Sequence, residues 1–241
     1  MIQLINDDCL KKLPTIPNGS IDLILTDPPY GTTACKWDCV IPFEPMWKEL
    51  KRIIKDNGCI ALFGSEPFSS SLRISNIKWF RYDWIWEKSK STNFLNAKKQ
   101  PLRKHEDICI FYKNLPTYNP QMKEGLPYNK GFRKKQNTES YGLFNSVEVK
   151  SNGLRYPTDL IYFKTAESEG NVVHPTQKPV ALLEYLIKTY TNKNDTVLDF
   201  TMGSGSTGVA SKNLNRNFIG IEKDQKYFDI AKQKIEGTLI K

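Results

Sequence analysis

Apolar and polar positions along the chain follow two alternating periods. The run Ile21–Thr26 is almost continuously apolar, as in a strand covered on both faces, whereas residues 44–55 repeat apolar side chains at the spacing of one helix face before Asn57-Gly58. The predicted strands cover residues 2–5, 21–26, 59–63, 82–86, 108–112, 196–199 and 218–222, and the predicted helices cover residues 44–55, 179–190, 206–214 and 224–235. This order predicts an α/β domain with a mostly parallel sheet and ligands at the carboxyl ends of its strands.

The middle of the chain departs from this alternation. Between residues 113 and 164 the periodicity fades, and proline, glycine, asparagine and lysine accumulate among scattered aromatic residues. A chain of 241 residues suits one substantial domain with an inserted module better than two equal domains. The β-rich segments 82–86 and 108–112, just before the insertion, are candidates to pair with each other.

Positive charge is concentrated near this module. The formal net charge is +9, and residues 88–155 hold 14 Lys and Arg against 5 Asp and Glu, which leaves 21 of each sign elsewhere. A focused positive field is typical of a surface that binds a polyanion, because neutralised phosphates release their counterions. A solvated basic loop that binds nothing is the alternative.

The composition excludes several classes of protein. No apolar stretch approaches the roughly 18 residues of a membrane span, and residues 1–8 lack a basic leader, so we expect a soluble, cytoplasmic protein. The five cysteines (Cys9, Cys35, Cys39, Cys59 and Cys109) lack paired spacing, which argues against a disulfide framework. Cys35 and Cys39 alone fall short of the four ligands of a zinc site, so no metal is expected.

A short polar motif, Asp27-Pro28-Pro29-Tyr30, follows the strand at residues 21–26. A carboxylate next to a proline carbonyl offers hydrogen-bond acceptors without a neighbouring N–H group. The motif therefore suits a site that grips an exocyclic amine, and Tyr30 could stack on the face of a base.

A glycine-rich turn follows the strand at residues 196–199. Gly203 and Gly205 permit a tight turn and a close approach of a ligand, and the next helix offers free N–H groups to a carboxylate. Glu222 ends the following strand, about 20 residues on, where an acidic side chain typically holds a ribose diol. A dinucleotide would fit the same arrangement.

In this order the two motifs resemble the β class of DNA amino-methyltransferases. Supporting motifs are Asp8-Cys9-Leu10, Phe63-Gly64-Ser65, Arg103-Lys104-His105-Glu106 and His174-Pro175-Thr176-Gln177-Lys178-Pro179. The resemblance implies a Rossmann-like methyltransferase fold with circularly permuted motifs and a mostly parallel seven-stranded sheet containing one antiparallel strand. It makes residues 1–112 the catalytic half, 113–164 the target-recognition insertion and 165–241 the half that binds S-adenosylmethionine.

The resemblance also implies a cofactor site. Its residues would be Asp8, Cys9, Lys178, Asp199, Phe200, Thr201, Gly203, Ser204, Gly205, Ser206, Thr207 and Glu222. The 199–207 loop would line the methionine moiety, Glu222 would bond the ribose, Asp8 would accept from the adenine amine, and Lys178 would lie near the amino-acid end. The family's loop usually reads Asp-Pro-Phe, whereas this chain has Asp199-Phe200-Thr201; the alternative place for the Phe200 side chain is the core.

The catalytic residues implied are Asp27, Pro28, Pro29 and Tyr30. A methyl sulfonium is an activated electrophile, so catalysis requires mainly geometry and an available nitrogen lone pair. The base would have to leave the duplex. Phosphate contacts are expected from Lys98, Lys99, Arg103, Lys104, Arg133, Lys134 and Lys135.

The acceptor is expected to be N6 of adenine in double-stranded DNA. In this family Asp-Pro-Pro-Tyr goes mostly with adenine and Ser-Pro-Pro-Tyr mostly with cytosine, and no cysteine here follows a proline, as ring-carbon methylation would need. Alternatives are N4 of cytosine, an RNA or protein amine, and an inactive DNA-binding homologue. A homodimer and a cognate restriction endonuclease are further expected partners. His105 is interpreted as structural or close to the pocket, His174 as a loop bond, and Trp37-Asp38 as part of a covering loop or of the core.

Overall fold

A computed structural model describes residues 1–32, 38–140, 142–170 and 177–237. The expectations for Cys35, Trp37 and His174 fall outside these residues. The chain divides into a larger unit, Met1–Asn119 with Asp159–Lys241, and a smaller unit, Pro120–Thr158. No described helix is both long enough and apolar enough to cross a membrane.

One mixed sheet forms the centre of the larger unit. Its strands are β1 (Ile2–Asn6), β2 (Ile21–Thr26), β3 (Ile54–Gly64), β4 (Phe80–Thr92), β5 (Arg103–Phe111), β12 (Leu160–Phe163), β13 (Thr196–Asp199) and β14 (Asn217–Glu222). They lie in the order β1-β14-β13-β2-β3-β5-β4-β12. All pairs are parallel except those made by β5, which is antiparallel to both β3 and β4. The expected fold class, with one antiparallel strand, is confirmed.

The described sheet has eight strands rather than seven. The additional strand is β12, which pairs in parallel with β4 through residues such as Ile161 opposite Trp86. This segment falls within the predicted insertion, because an apolar run of four residues next to an aperiodic region is too short to indicate a strand; only Ile161 of the four is buried. The predicted pairing of the two segments around residues 82–86 and 108–112 is confirmed, since Trp84 lies opposite Ile108.

Helices cover both faces of the sheet. They are α1 (Cys9–Lys12), α2 (Phe43–Ile53), α3 (Phe68–Ser75), α4 (Val180–Tyr190), α5 (Ser206–Asn213) and α6 (Gln225–Glu236). The predicted end of α2 was wrong, because the chain becomes extended at Ile54 and Asn57-Gly58 lies inside β3. A Cβ at Gly58 would lie 2.7 Å from the Ile54 side chain, which would have to move to make room for it.

Alternate residues of the central strands enter two separate cores. Leu23 and Leu25 of β2 pack with Leu182 and Leu186 of α4 on one face, whereas Ile24 belongs to the cluster on the other face. Full burial of such a side chain contributes roughly 1.5–3 kcal/mol, which fixes the register of β2. The carboxyl ends of β2, β13 and β14 therefore open at one defined edge of the sheet.

The smaller unit consists of three nested antiparallel pairs. The outer pair is β6 (Lys123–Glu124) with β11 (Leu154–Arg155), the middle pair is β7 (Tyr128–Arg133) with β10 (Val147–Ser151), and the inner pair is β8 (Gln136–Thr138) with β9 (Gly142–Phe144). Most of its side chains are exposed. Cation–π contacts help to stabilise this unit. In one of them, the Arg155 guanidinium lies 4.5 Å from the centre of the Tyr128 ring. The expected three-part division of the chain stays a prediction.

Candidate active site

A large cavity opens at the carboxyl ends of β2, β13 and β14. Its volume is about 1340 Å³, and its lining residues, all in the larger unit, include Asp8, Asp27, Glu106, Lys178, Asp199 and Glu222. Pockets that hold one drug-sized ligand span roughly 300–1,000 Å³. The cavity therefore has room for two molecules side by side.

Asp27 leaves β2 at the wall of this cavity. Its Oδ1 accepts a 2.6 Å hydrogen bond from the Tyr30 hydroxyl, and its Oδ2 accepts a 2.5 Å bond from Lys178 Nζ. Burial raises the pKa of Asp27, and the charge of Lys178 opposes that rise. Tyr30 stacks on Phe68, with ring centroids 5.0 Å apart, so one face of the tyrosine ring already has a partner.

Lys178 belongs to a row of alternating charges, in which the two lysines are buried and the two carboxylates are partly buried. Its ammonium lies 3.3 Å from Glu106 Oε2, and Lys88 Nζ lies 3.1 Å from Glu106 Oε1. Burial alone would lower the pKa of Lys178, but the carboxylates of Asp27 and Glu106 raise it. Burial would likewise raise the pKa of Glu106, but the two lysines hold it below its ordinary value. The row Lys88, Glu106, Lys178 and Asp27 is thus a neutral array of two cations and two anions.

The glycine-rich loop is tied to β2. The Thr26 hydroxyl donates to Asp199 Oδ1 at 3.1 Å and accepts from the Phe200 amide at 3.2 Å. The Thr201 hydroxyl donates to the main-chain carbonyl of Asp27 at 3.0 Å. Burial raises the pKa of Asp199 to about 7. The Phe200 side chain is buried in the core, which is the alternative expected from the missing Asp-Pro-Phe sequence.

Two carboxylates lie farther along the cavity wall. Glu222 Oε2 accepts from the Gly203 amide at 2.9 Å and Oε1 accepts from the Asp224 amide at 2.8 Å, so both oxygens are held in fixed directions. Burial raises the pKa of Glu222. Asp8 Oδ1 caps α1 by accepting from the Leu10 amide at 2.9 Å. Cys9, beside it, lines the cavity as a half-buried thiol whose pKa burial raises to about 11.

The two glycines of the loop have different surroundings. Gly205 adopts φ +81°, and a Cβ there would lie 2.8 Å from the Ala231 side chain of α6. Gly203 adopts φ +50° with open space around it. Gly205 therefore permits close helix packing, whereas Gly203, Ser204, Ser206 and Thr207 line the cavity itself.

The basic residues expected to contact DNA lie in both units. Lys98, Lys99, Arg103 and Lys104 are exposed in the larger unit. Arg103 lines the cavity, and Lys104 pairs with Glu87 at 2.8 Å. In the smaller unit, Arg133, Lys134 and Lys135 are exposed at the end of β7 and just beyond it.

Several residues of this site were not expected from the sequence. Lys88 and Glu106 lie on neighbouring strands and become buried partners only through the pairing of β4 with β5. The sequence places Thr26 at the end of a strand without a role, and the structure shows that its hydroxyl connects β2 to the glycine-rich loop. Two other residues agree with the sequence analysis: His105 lines the cavity, and Asp38 is buried at the cavity wall with Oδ1 accepting from the Gly31 amide at 2.8 Å.

Comparisons with known proteins agree with this geometry. The model of the DNA methylase family matches residues 21–233 of the chain. This chain belongs to the DNA methylase family. The type II methyltransferase M.HinfI of Haemophilus influenzae is 33% identical to this chain, and the match covers 96% of this chain and 67% of M.HinfI. M.BglII of Bacillus subtilis is 30% identical, and the match covers 98% of this chain and 69% of M.BglII.

Solved structures extend the likeness to three dimensions. The crystal structure of the M1.HpyAVI–SAM complex matches the methylase with a TM-score of 0.66 and 27% identity, over 98% of this chain and 99% of that one. PvuII DNA methyltransferase, which is cytosine-N4-specific, matches with a TM-score of 0.69 and 17% identity, over 100% and 88% of the two chains, and shows a likeness of fold alone. The expectation of a DNA amino-methyltransferase that uses S-adenosylmethionine is confirmed at the level of the N6-adenine and N4-cytosine family.

Proposed function

We propose that this DNA methylase transfers a methyl group from S-adenosylmethionine to the N6 amine of adenine in duplex DNA. The observation that carries the proposal is the corner at Asp27 and Pro28, which lines a cavity large enough for a cofactor and a base together. Both residues follow β2 directly, so the acceptors of the corner are held by the central sheet. The choice of adenine rests on the aspartate of the motif, by resemblance to the family.

The corner is suited to hold an amine by both hydrogens. The Asp27 carboxylate is one acceptor, and the Pro28 carbonyl is the other, for which no described main-chain amide competes. When both amine hydrogens are bonded, the nitrogen is drawn from planarity and its lone pair becomes available. Bound S-adenosylmethionine supplies a methyl group on a positively charged sulfur. Asp27, whose pKa burial raises, is the nearest carboxylate to receive the proton that the amine then loses.

The residues around the loop fit the cofactor. Glu222 has a remaining lone pair on each oxygen and a direction fixed by two amides, as hydrogen bonding to a ribose diol requires. The Asp8 carboxylate and the Cys9 thiol lie at the cavity wall, in reach of an adenine ring at that end. Lys178 contacts Asp27 and Glu106, so we assign it to the catalytic corner, and its place near the amino-acid end of the cofactor stays a prediction.

A base inside a duplex cannot reach Asp27. It would have to swing out of the stack at a cost of a few kcal/mol, which contacts with phosphates would offset. The exposed Lys98, Lys99 and Arg103 are placed to supply such contacts, since Arg103 lines the cavity. Arg133, Lys134 and Lys135 would supply others from the smaller unit, which we propose as the target-recognition part.

Analysis of the methylated nucleosides tests the proposal. Purified methylase, S-adenosylmethionine with a labelled methyl group and mixed-sequence duplex DNA are incubated, and the digested nucleosides are separated by mass spectrometry. We expect the label in N6-methyldeoxyadenosine. Label in N4-methyldeoxycytidine would transfer the assignment to the cytosine alternative, and unlabelled DNA from protein that binds the cofactor would refute DNA methylation.

Asp27→Asn separates chemistry from binding. We expect the affinity for S-adenosylmethionine to stay within a few fold and turnover to fall roughly 10- to 150-fold, as loss of a charged hydrogen bond of about 1.5–3 kcal/mol implies. The matched control is Asp56→Asn, which changes an exposed aspartate. Turnover that is unchanged by Asp27→Asn would remove Asp27 from the mechanism.

A further inference from the structure

Both oxygens of the Asp27 carboxylate are already bonded by groups of the protein. Tyr30 holds Oδ1 and Lys178 holds Oδ2. A target amine needs a share of this carboxylate, so it competes directly with one of the two donors. The Tyr30 ring is fixed on Phe68, whereas Lys178 lies between two carboxylates.

We propose that Lys178 is a displaceable positioning residue, which holds Asp27 Oδ2 until the target amine binds and then shifts its ammonium onto Glu106. This inference rests on the proposed function, because it needs an amine that binds Asp27. It does not depend on whether that amine belongs to adenine or cytosine.

Glu106 has an oxygen ready to receive the lysine. Glu106 Oε2 is buried without a hydrogen-bond partner among the described residues, although Lys178 Nζ lies only 3.3 Å away. Lys178 and Glu106 are therefore close enough for an ion pair, but the angle at Oε2 is poor for a hydrogen bond. A buried carboxylate oxygen gains from a shorter and better directed charged hydrogen bond, so a small movement of the ammonium toward Glu106 offsets part of what is lost at Asp27.

Lys88 keeps this receiving oxygen in place. Its ammonium binds the other oxygen of Glu106 at 3.1 Å, which fixes the direction of Oε2. The shift leaves the four charges of the row buried and balanced, so no unpaired ion is created. The rings of Phe63 and Tyr30, with centroids 5.1 and 6.0 Å from Lys178 Nζ, stabilise the cation along its path.

The proposal gives Lys178 and Glu106 opposite effects on Asp27. Without Lys178, burial keeps Asp27 protonated up to a higher pH, and the protonated carboxyl is a weaker acceptor for the amine and cannot take up its proton. Without the Glu106 charge, Lys178 stays on Asp27, which remains ionised but blocked. Among the described residues, Tyr30 also bonds Asp27, Lys88 also bonds Glu106, and Asp199 is affected by the charge of Asp27; these three groups are common to all variants.

Kinetic pH profiles of Lys178→Met and Glu106→Gln test the proposal in the full-length protein. For Lys178→Met we expect kcat to fall at least tenfold at pH 7 and to recover as the pH rises. The acidic limb of its pH profile should therefore lie at higher pH than in wild type. For Glu106→Gln we expect a similar loss without recovery at high pH. Lys188→Met, which removes an exposed lysine of α4, should leave the profile unchanged.

Two further variants keep the test interpretable if Lys178→Met is destabilised. Lys178→Arg keeps the cation and should retain the wild-type acidic limb. Lys178→Met combined with Glu106→Gln restores charge balance, so it should fold at least as stably as Lys178→Met while keeping the displaced limb. Parallel losses in Lys178→Met and Glu106→Gln, with unmoved limbs, would overturn the proposal and leave both residues as structural.

A measurement without turnover distinguishes this proposal from the proposed function. Carbon-13 NMR titration of the Asp27 carboxyl, without DNA, should give a higher pKa in Lys178→Met than in wild type and Glu106→Gln. An unchanged pKa would contradict the role of Lys178, even in a protein that methylates adenine. The expected NMR shift with no methyl transfer to any DNA base would instead count against the proposed function.

Discussion

The Thr201 hydroxyl donates a 3.0 Å hydrogen bond to the main-chain carbonyl of Asp27. This bond joins the glycine-rich loop to the catalytic corner, although the two residues are 174 positions apart. It fixes the direction of the peptide group that follows Asp27, and therefore the position of the next carbonyl, that of Pro28. We infer that the loop that lines the cofactor region also aligns the amine acceptors.

Thr201→Val removes this bond and keeps the shape of the side chain. A hydrogen bond of this kind contributes about 0.5–1.5 kcal/mol, so we expect kcat to fall roughly 2- to 13-fold. The dissociation constant of S-adenosylmethionine, measured by calorimetry, should change less than kcat. Thr201→Ser keeps the hydroxyl and should behave like wild type; an equal loss in both variants would contradict the assigned role.

Gly205→Ala should destabilise the fold more than Gly203→Ala. Both glycines have positive φ, which costs an alanine about 1–2 kcal/mol, but only Gly205 would press a Cβ against α6. Overpacking adds roughly 1–3 kcal/mol, so the free energy of unfolding should fall by about 2–5 kcal/mol for Gly205→Ala. Urea denaturation without cofactor measures the difference. Equal losses in the two variants would show that helix packing at Gly205 is not critical.

Asp199 should make stability depend on pH. Burial raises its pKa from 3.8 to about 7, so the folded state binds this proton more tightly than the unfolded state. The contribution favours folding fully below about pH 4 and is lost as the pH rises through 7. Between pH 5 and pH 8 we expect wild type to lose ~2–3 kcal/mol more unfolding free energy than Asp199→Asn.

Asparagine at position 199 keeps an oxygen for the Thr26 hydroxyl and the Thr201 amide. Urea denaturation at the two pH values, in the absence of cofactor, measures the effect, and Asp56→Asn is the exposed control. Parallel pH dependence in wild type and Asp199→Asn would refute the raised pKa.

The exposed lysines of the larger unit should determine part of the salt dependence of DNA binding. Each lost phosphate contact lowers the slope of log K against log salt by about 0.9. We expect the double substitution of Lys98 and Lys99 by glutamine to reduce the slope by up to ~2, as measured by fluorescence anisotropy across a salt series. Lys193→Gln is the control. This lysine precedes β13, on the side of the amino ends of the parallel strands, whereas the cavity opens at their carboxyl ends. Equal slopes in all three proteins would remove Lys98 and Lys99 from the DNA surface.

The sequence predicted best the elements that bury apolar side chains on both faces. The strand Thr196–Asp199 agrees residue for residue, because four residues between turn signals leave little freedom. The helix Phe68–Ser75 was missed, since three consecutive serines interrupt its apolar pattern and Leu72 is its only fully buried apolar side chain. The boundary at Ile53 and Ile54 could not be located from periodicity, because two consecutive buried isoleucines fit both the end of a helix and the start of a strand.

The site was predicted where it depends on local motifs and missed where it depends on strand pairing. Asp27 and Glu222 follow from their positions at strand ends. The partnership of Glu106 with Lys88 requires the antiparallel register of β4 and β5, and charged residues in strands are usually exposed. The resemblance predicts only that Lys178 lies near the cofactor. Its contact with Asp27 joins residues 151 positions apart in sequence, so it is visible only in the folded structure.

A crystal structure of the methylase with duplex DNA and a non-reactive cofactor analogue tests the central claim most directly. We predict that a flipped adenine places its N6 within about 2.7–3.2 Å of both the Asp27 carboxylate and the Pro28 carbonyl, with the reacting position of the cofactor opposite. A bound base whose amine lies away from this corner, with Pro28 unbonded and Asp27 held only by Tyr30 and Lys178, would contradict the account.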